Sequence, residues 1–145
     1  GAQSSKRKEI LAIDSLAPAD ENNLVQAAHI DINSVTETLT DIESAFDTNF
    51  MVNKAQHYLM TKLIKKGALL FFIGGDNFMA PCNGLSEKEI EDILVEINDE
   101  IGIGLKAGIG VGRNMEDAAY MADLGLEEIR DHDNGMWTWV IEKEY

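Results

Sequence analysis

Apolar and polar positions divide this chain into short periodic segments. Leu24 to Ile32 carries small or apolar residues at Val25, Ala27, Ala28 and Ile30, ends in Asp31-Ile32-Asn33, and predicts a first strand with His29 on its more polar side. A helical repeat follows through Val35, Leu39, Ile42, Phe46, Phe50, Ala55, Leu59 and Leu63. Ser34 and Glu37 have the spacing of a capping box, and Lys65-Lys66-Gly67 supplies cations and a glycine at the far end. The stretch exceeds the usual ~10–14 residues of a globular helix. A break near Asp47-Thr48-Asn49 is therefore expected, with Thr48 or Asn49 capping the second of two helices.

Ala68 to Phe72 is continuously apolar, which suits a strand buried on both faces. Gly74 and Gly75 then allow a reversal into a second strand ending near Cys82, so Asp76 falls at the hairpin tip. A second capping box, Ser86 with Glu89, opens a helix through Ile90, Ile93, Leu94 and Ile97, and Gly102 and Gly104 mark its exit. Leu105 to Val111 predicts a strand whose small residues imply close packing. Asn114 caps a helix with its apolar face on Ala118, Met121, Ala122, Leu126 and Ile129, weakened by Gly125. Asn134-Gly135 is a turn, and Met136 to Glu142 a last strand with Trp137 and Trp139 on one face. The order β-α-α-β-β-α-β-α-β is that of two split βαβ units, a ferredoxin-like α/β sandwich with a mostly antiparallel sheet. Residues 1–23 read as a polar leader, the end of an arriving helix and a loop, and residues 24–145 as one domain.

Composition narrows the function. With 145 residues and 45% hydrophobic content the chain can build a core. A net charge of −14 repels phosphate backbones and disfavours nucleic acid and anionic membranes. A nucleotide brought with Mg²⁺ stays compatible, because the metal supplies the positive charge. The chain has no signal peptide and no apolar run near the ~20 residues of a membrane span, so a cytoplasmic protein is expected. A single cysteine, Cys82, excludes an internal disulfide and reads as a buried apolar residue. The start at Gly1 suggests a processed product or a piece of a longer protein.

In the expected fold the first strand lies beside the hairpin, so Asp31 and Asp76 converge at one sheet edge. Two carboxylates with the Ile32 carbonyl make a hard oxygen site suited to Mg²⁺ when phosphates complete the shell. The amides of Asn33, Ser34, Val35 and Thr36 open the next helix and can bind phosphate. Gly75 at the hairpin tip and Lys106 on the later strand are further candidates for contact with a nucleotide. Gly-Gly-Asp-Asn is also ordinary turn chemistry. Asp41, Glu43 and Asp47 read as a solvated acidic face, Arg113 as a strand-end cation that could meet phosphate, and His57 and His132 as surface residues. No CxxC occurs, which disfavours zinc.

Four segments carry a family resemblance: Ala28-His29-Ile30-Asp31-Ile32-Asn33, Phe71-Phe72-Ile73-Gly74-Gly75-Asp76-Asn77-Phe78-Met79, Pro81-Cys82-Asn83-Gly84 and Leu105-Lys106-Ala107-Gly108-Ile109-Gly110. Together they resemble the C-terminal half of archaeal GTP cyclohydrolase III, over about Lys6 to at least Ile129. The resemblance implies a palm-type domain related to polymerase palms and nucleotidyl cyclases. It implies an Mg²⁺-dependent enzyme, aided by K⁺, that opens the guanine imidazole ring of GTP. The products would be a formylaminopyrimidine ribonucleotide monophosphate and phosphate, serving flavin and deazaflavin precursor synthesis. It assigns Asp31 and Asp76 as catalytic metal ligands. The partners it implies are GTP, the N-terminal half of the same protein and further copies in a homo-oligomer. That N-terminal half is absent here, and the sequence after Trp137 is short for the family. Either half could hold the productive metal site. The neighbouring cyclases with a Gly-Gly-Asp-Glu-Phe hairpin are a rival reading, weakened because Asn77 stands at the acidic fourth position. A non-catalytic nucleotide-binding or assembly domain is another.

Overall fold

A computed structural model describes residues 23–33, 45–132 and 135–145. Its elements are β1 (Val25–Asn33), α1 (Ala45–Ile64), β2 (Phe71–Gly74), β3 (Asn77–Pro81), α2 (Glu87–Ile101), β4 (Gly104–Gly112), α3 (Met115–His132) and β5 (Thr138–Glu142). One five-stranded sheet has the order β2-β3-β1-β4-β5. Every pairing is antiparallel except β4 with β5, which α3 joins as a parallel crossover. The central place of β1 and the mostly antiparallel sheet agree with the sequence pattern.

Strand register sorts side chains onto two faces. The pairs Ala28↔Ile109, Ile30↔Ala107 and Ile32↔Leu105 share one face. That face packs against Val52, Ala55, Leu59 and Leu63 of α1 and Ile90, Ile93, Leu94 and Ile97 of α2. The pairs Ala27↔Gly110, His29↔Gly108 and Asp31↔Lys106 share the other face, which α3 covers. The layers are therefore helices, sheet, helix.

Several local predictions hold. Ser86 and Glu89 close a complete capping box, and Gly102 ends α2 in the left-handed region at φ 69°. Asn114 caps α3 by accepting from the Asp117 amide at 2.8 Å. The small residues of β4 do permit close packing. A Cβ on Gly108 would sit 2.1 Å from the Ala122 carbonyl oxygen, and one on Gly110 1.9 Å from that of Ala118. Gly125, read from sequence as a weak point of the helix, faces the Gly108 Cα and the Trp139 carbonyl, where a side chain has no room.

Four expectations are corrected. Thr48 and Asn49 do not cap a helix, because both lie inside α1, whose described span is Ala45–Ile64. The Ser34–Glu37 box lies outside the described residues. The apolar run at Ala68 does not begin a strand. Ala68 and Leu70 are buried ahead of β2, and β2 itself lies at the sheet edge, with Phe71 and Phe72 only half-buried on opposite faces. The fully buried aromatic of the hairpin is Phe78. Trp137 precedes β5 and packs on the α1/α2 side, whereas Trp139 lies against His132 of α3, so the two do not share a face.

Candidate functional site

The site begins with the hairpin tip. Gly74 and Gly75 have φ of 109° and 61°, which favours glycine at both positions. The β2–β3 register shifts between Phe72 and Gly74, a bulge that leaves Gly75 and Asp76 as the turn. Asp76 is then tied to β1, because its carbonyl accepts from the Ile32 amide at 3.2 Å. Asp31 stands directly opposite Asn77, next to Asp76. The two predicted acids thus meet at one end of the central strand.

Asp31 is only 4% exposed. Burial pushes its carboxyl above the usual aspartate range, Arg130 and Lys106 pull it back, and the Asp76 charge adds to the rise. One of its oxygens, Oδ2, accepts a 2.5 Å bond from the Arg130 guanidinium. The other, Oδ1, is buried and has no hydrogen-bond partner among the described residues. Lys106, expected at the nucleotide, is the register partner of Asp31 on β4 and belongs to this edge. Arg113 is elsewhere. It follows the opposite end of β4, roughly 23 Å along the strand direction from Lys106, with its guanidinium 4.0 Å over the Tyr145 ring.

Arg130 was not legible as a site residue, and neither was a second set beside it. His29 lies two residues before Asp31 on the same face of β1. Its Nδ1 is 2.7 Å from Asp123 Oδ1 of α3, and its Nε2 is 2.9 Å from Asn77 Oδ1. The Asn77 amide then donates from Nδ2 to Asp76 Oδ1 at 3.1 Å. Asp123 and Arg130 are seven residues apart, two helical turns, and so lie on one side of α3. A strand period of two on β1 and a helix period near seven on α3 produce both contacts.

Asn33 ends β1 at this edge, while Ser34, Val35 and Thr36 lie outside the described residues, as do Asp41 and Glu43. Asp47 is exposed on α1, and His57 and His132 are exposed, as expected. Gly75 is exposed at the turn.

The GTP cyclohydrolase III family model matches residues 1–144. The chain belongs to that family. It is 62% identical over 130 residues to a GTP cyclohydrolase III of Methanothermobacter thermautotrophicus, covering 90% of this chain and 51% of that protein. It is 57% identical to one from Methanocaldococcus jannaschii, over 89% of this chain and 47% of that protein. The chain therefore spans about half the length of the curated relatives it matches. Among solved structures, the GGDEF domain of DgcB from Caulobacter crescentus, in complex with c-di-GMP, superposes with a TM-score of 0.74 at 13% identity, covering 95% of this chain and 89% of that one. The active GGEEF domain of a diguanylate cyclase from Vibrio cholerae gives 0.66 at 15% identity, over 98% and 96%. Those likenesses establish the nucleotidyl cyclase-type palm fold.

Family membership raises the question of a divalent cation, and the residues fit one. Among the described residues Asp31 Oδ1 is a buried carboxylate oxygen with no hydrogen-bond partner, beside a second carboxylate, and Arg130 engages only the other oxygen, so a cation at Oδ1 would offset a desolvation cost. No cluster of three or more His, Cys, Asp or Glu suited to a metal occurs among the described residues. Two carboxylates suit Mg²⁺, which keeps several ligands for phosphate or water. No helix among the described residues is long and apolar enough to cross a membrane.

Proposed function

We propose that this chain is the C-terminal palm-type half of a GTP cyclohydrolase III and takes part in opening the imidazole ring of GTP. The products would be a formylaminopyrimidine ribonucleotide monophosphate and phosphate. The observation that carries this reading is the buried Asp31 Oδ1, which has no hydrogen-bond partner among the described residues and lies beside Asp76. Asp31, Asp76 and the Ile32 carbonyl would hold Mg²⁺. When bound, the ion would supply positive charge to the triphosphate and lower the pKa of a coordinated water. Lys106 and the amides of residues 33–36 would orient the phosphates, and the exposed Gly75 turn leaves room for them. Arg130 holds the Asp31 carboxylate toward the edge. K⁺ would assist, and the other half of the protein, in a homo-oligomer, would complete the enzyme.

The test is GTP turnover with Mg²⁺ and K⁺, followed by product chromatography and the purine ultraviolet band. Ring opening alters that band, whereas cyclisation keeps it and releases pyrophosphate. Asp31→Asn and Asp76→Asn should each weaken Mn²⁺ binding strongly in the presence of GTP. Unchanged metal affinity in both variants removes the site assignment. An intact purine with bound GTP leaves a nucleotide-binding domain instead.

A further inference from the structure

Asp123, His29, Asn77 and Asp76 form one hydrogen-bonded chain across three elements, from α3 through the central strand to the hairpin tip. Its links are 2.7, 2.9 and 3.1 Å. The His29 side chain is 14% exposed, so water does little to satisfy the ring. Each ring nitrogen faces an oxygen. Asn77 has a particular part in this chain. Its amide offers an acceptor to His29 and a donor to the Asp76 carboxylate, which neither an aspartate nor a glutamate at that position could do when ionised. The fourth residue of Gly74-Gly75-Asp76-Asn77-Phe78 is thus a connector here, where an acid would repel Asp76.

We propose that His29 and Asp123 are positioning residues that act through the Asn77 amide to orient the Asp76 carboxylate toward the divalent cation. The inference rests on the metal site proposed above and deepens it. The chain holds one oxygen of Asp76, leaving the other for the cation. A carboxylate on a two-residue turn, directly after two glycines, otherwise samples many orientations, and fixing it removes an entropic cost of metal binding. Hydrogen-bonded partners behind a metal ligand commonly change affinity by 10–100-fold when removed. Among the described residues the side-chain bond that restrains Asp76 comes from Asn77, the partner of Gly74 at the bulge.

The experiment is Mn²⁺ affinity of the protein with GTP, measured by titration calorimetry or spin relaxation, for His29→Ala, Asp123→Asn, Asp76→Asn and the double variant His29→Ala/Asp76→Asn. Melting temperature is recorded alongside. His29→Ala should weaken Mn²⁺ about 10-fold, and Asp123→Asn should weaken it in the same direction by less. In the Asp76→Asn background, His29→Ala should add little, because the carboxylate it orients is gone. A residue that only supports the fold would weaken metal binding equally in both backgrounds, and that result overturns the proposal. Should His29→Ala not fold, Asn77→Leu in the same cycle breaks the same link. Full Mn²⁺ affinity in Asp76→Asn defeats the metal site itself. Normal loss in Asp76→Asn with no effect from His29→Ala or Asn77→Leu defeats only the positioning role.

Discussion

At the scale of single residues, one buried carboxylate governs the site. Among the described residues Asp31 has Arg130 on Oδ2 and no hydrogen-bond partner on Oδ1. Removing the guanidinium takes the hydrogen-bonded cation from a carboxylate that is 4% exposed and leaves it the charge of Lys106. Arg130→Ala should therefore lower stability by roughly 1–3 kcal/mol in metal-free buffer. Mg²⁺ should raise the melting temperature of the variant more than that of the parent, because the ion replaces the lost cation. Equal Mg²⁺ shifts in the two proteins would mean that the ion does not reach Asp31. Cys82 offers a second residue-level test. Its thiol is fully buried, and desolvation pushes it up from 9.0 to about 11, a shift that Gln26 only partly opposes. The unfolded chain loses this proton first, so the thiol's contribution is intact below pH 9 and is lost as pH rises towards about 11. Alkaline destabilisation over that window, worth roughly 1–3 kcal/mol, should be smaller in Cys82→Ala when urea midpoints are compared from pH 8 to 11.

At the scale of elements, α3 is the part on which the site depends. It packs directly on the backbone of β4, with Gly108 and Gly110 beneath Ala122 and Ala118. That close approach brings Arg130 to Asp31 and Asp123 to His29. A methyl group at Gly108 would meet the helix backbone at 2.1 and 2.2 Å, and neither contact is a side chain that can turn away. Gly108→Ala should cost about 1–3 kcal/mol through overpacking and should also weaken Mn²⁺ binding, since both contacts ride on the displaced helix. Leu94→Ala is the control. Leu94 is fully buried under the opposite face of the sheet, so its replacement should cost ~2–5 kcal/mol with metal affinity retained. Loss of metal binding in both variants would trace the effect to general instability rather than to α3.

At the scale of the whole molecule, the chain spans about half of the curated GTP cyclohydrolase III proteins it matches. Phe50, Ile64 and Leu69 are large exposed apolar residues, and β2 leaves one sheet edge unpaired among the described strands. The proposal of a second half predicts that this chain alone turns GTP over slowly and self-associates. Activity per chain should rise when the remaining half is supplied, and sedimentation should show the copies replaced by the pair. Full-rate ring opening by a monodisperse monomer would overturn it. The charge of −14 opposes unspecific association without preventing a matched contact.

Much of this was legible along the chain, because the relevant signals are local. Strand β1, helix α2 with its Ser86–Glu89 box, the Gly74-Gly75 reversal and the small residues of β4 each follow from periodicity, capping or φ preference within a few residues. The convergence of Asp31 and Asp76 also follows once β1 is placed beside the hairpin. Tertiary structure decided the rest. Arg130 lies 99 residues from Asp31 and Asp123 lies 94 from His29. In sequence both are ordinary polar positions on an amphipathic helix, and only the packing of α3 over β1 gives them partners. The same holds for the hairpin, where an apolar run suggests a doubly buried strand. Its place at the sheet edge depends on which strands pair, and apolar content along one segment carries no information about the neighbour it lacks.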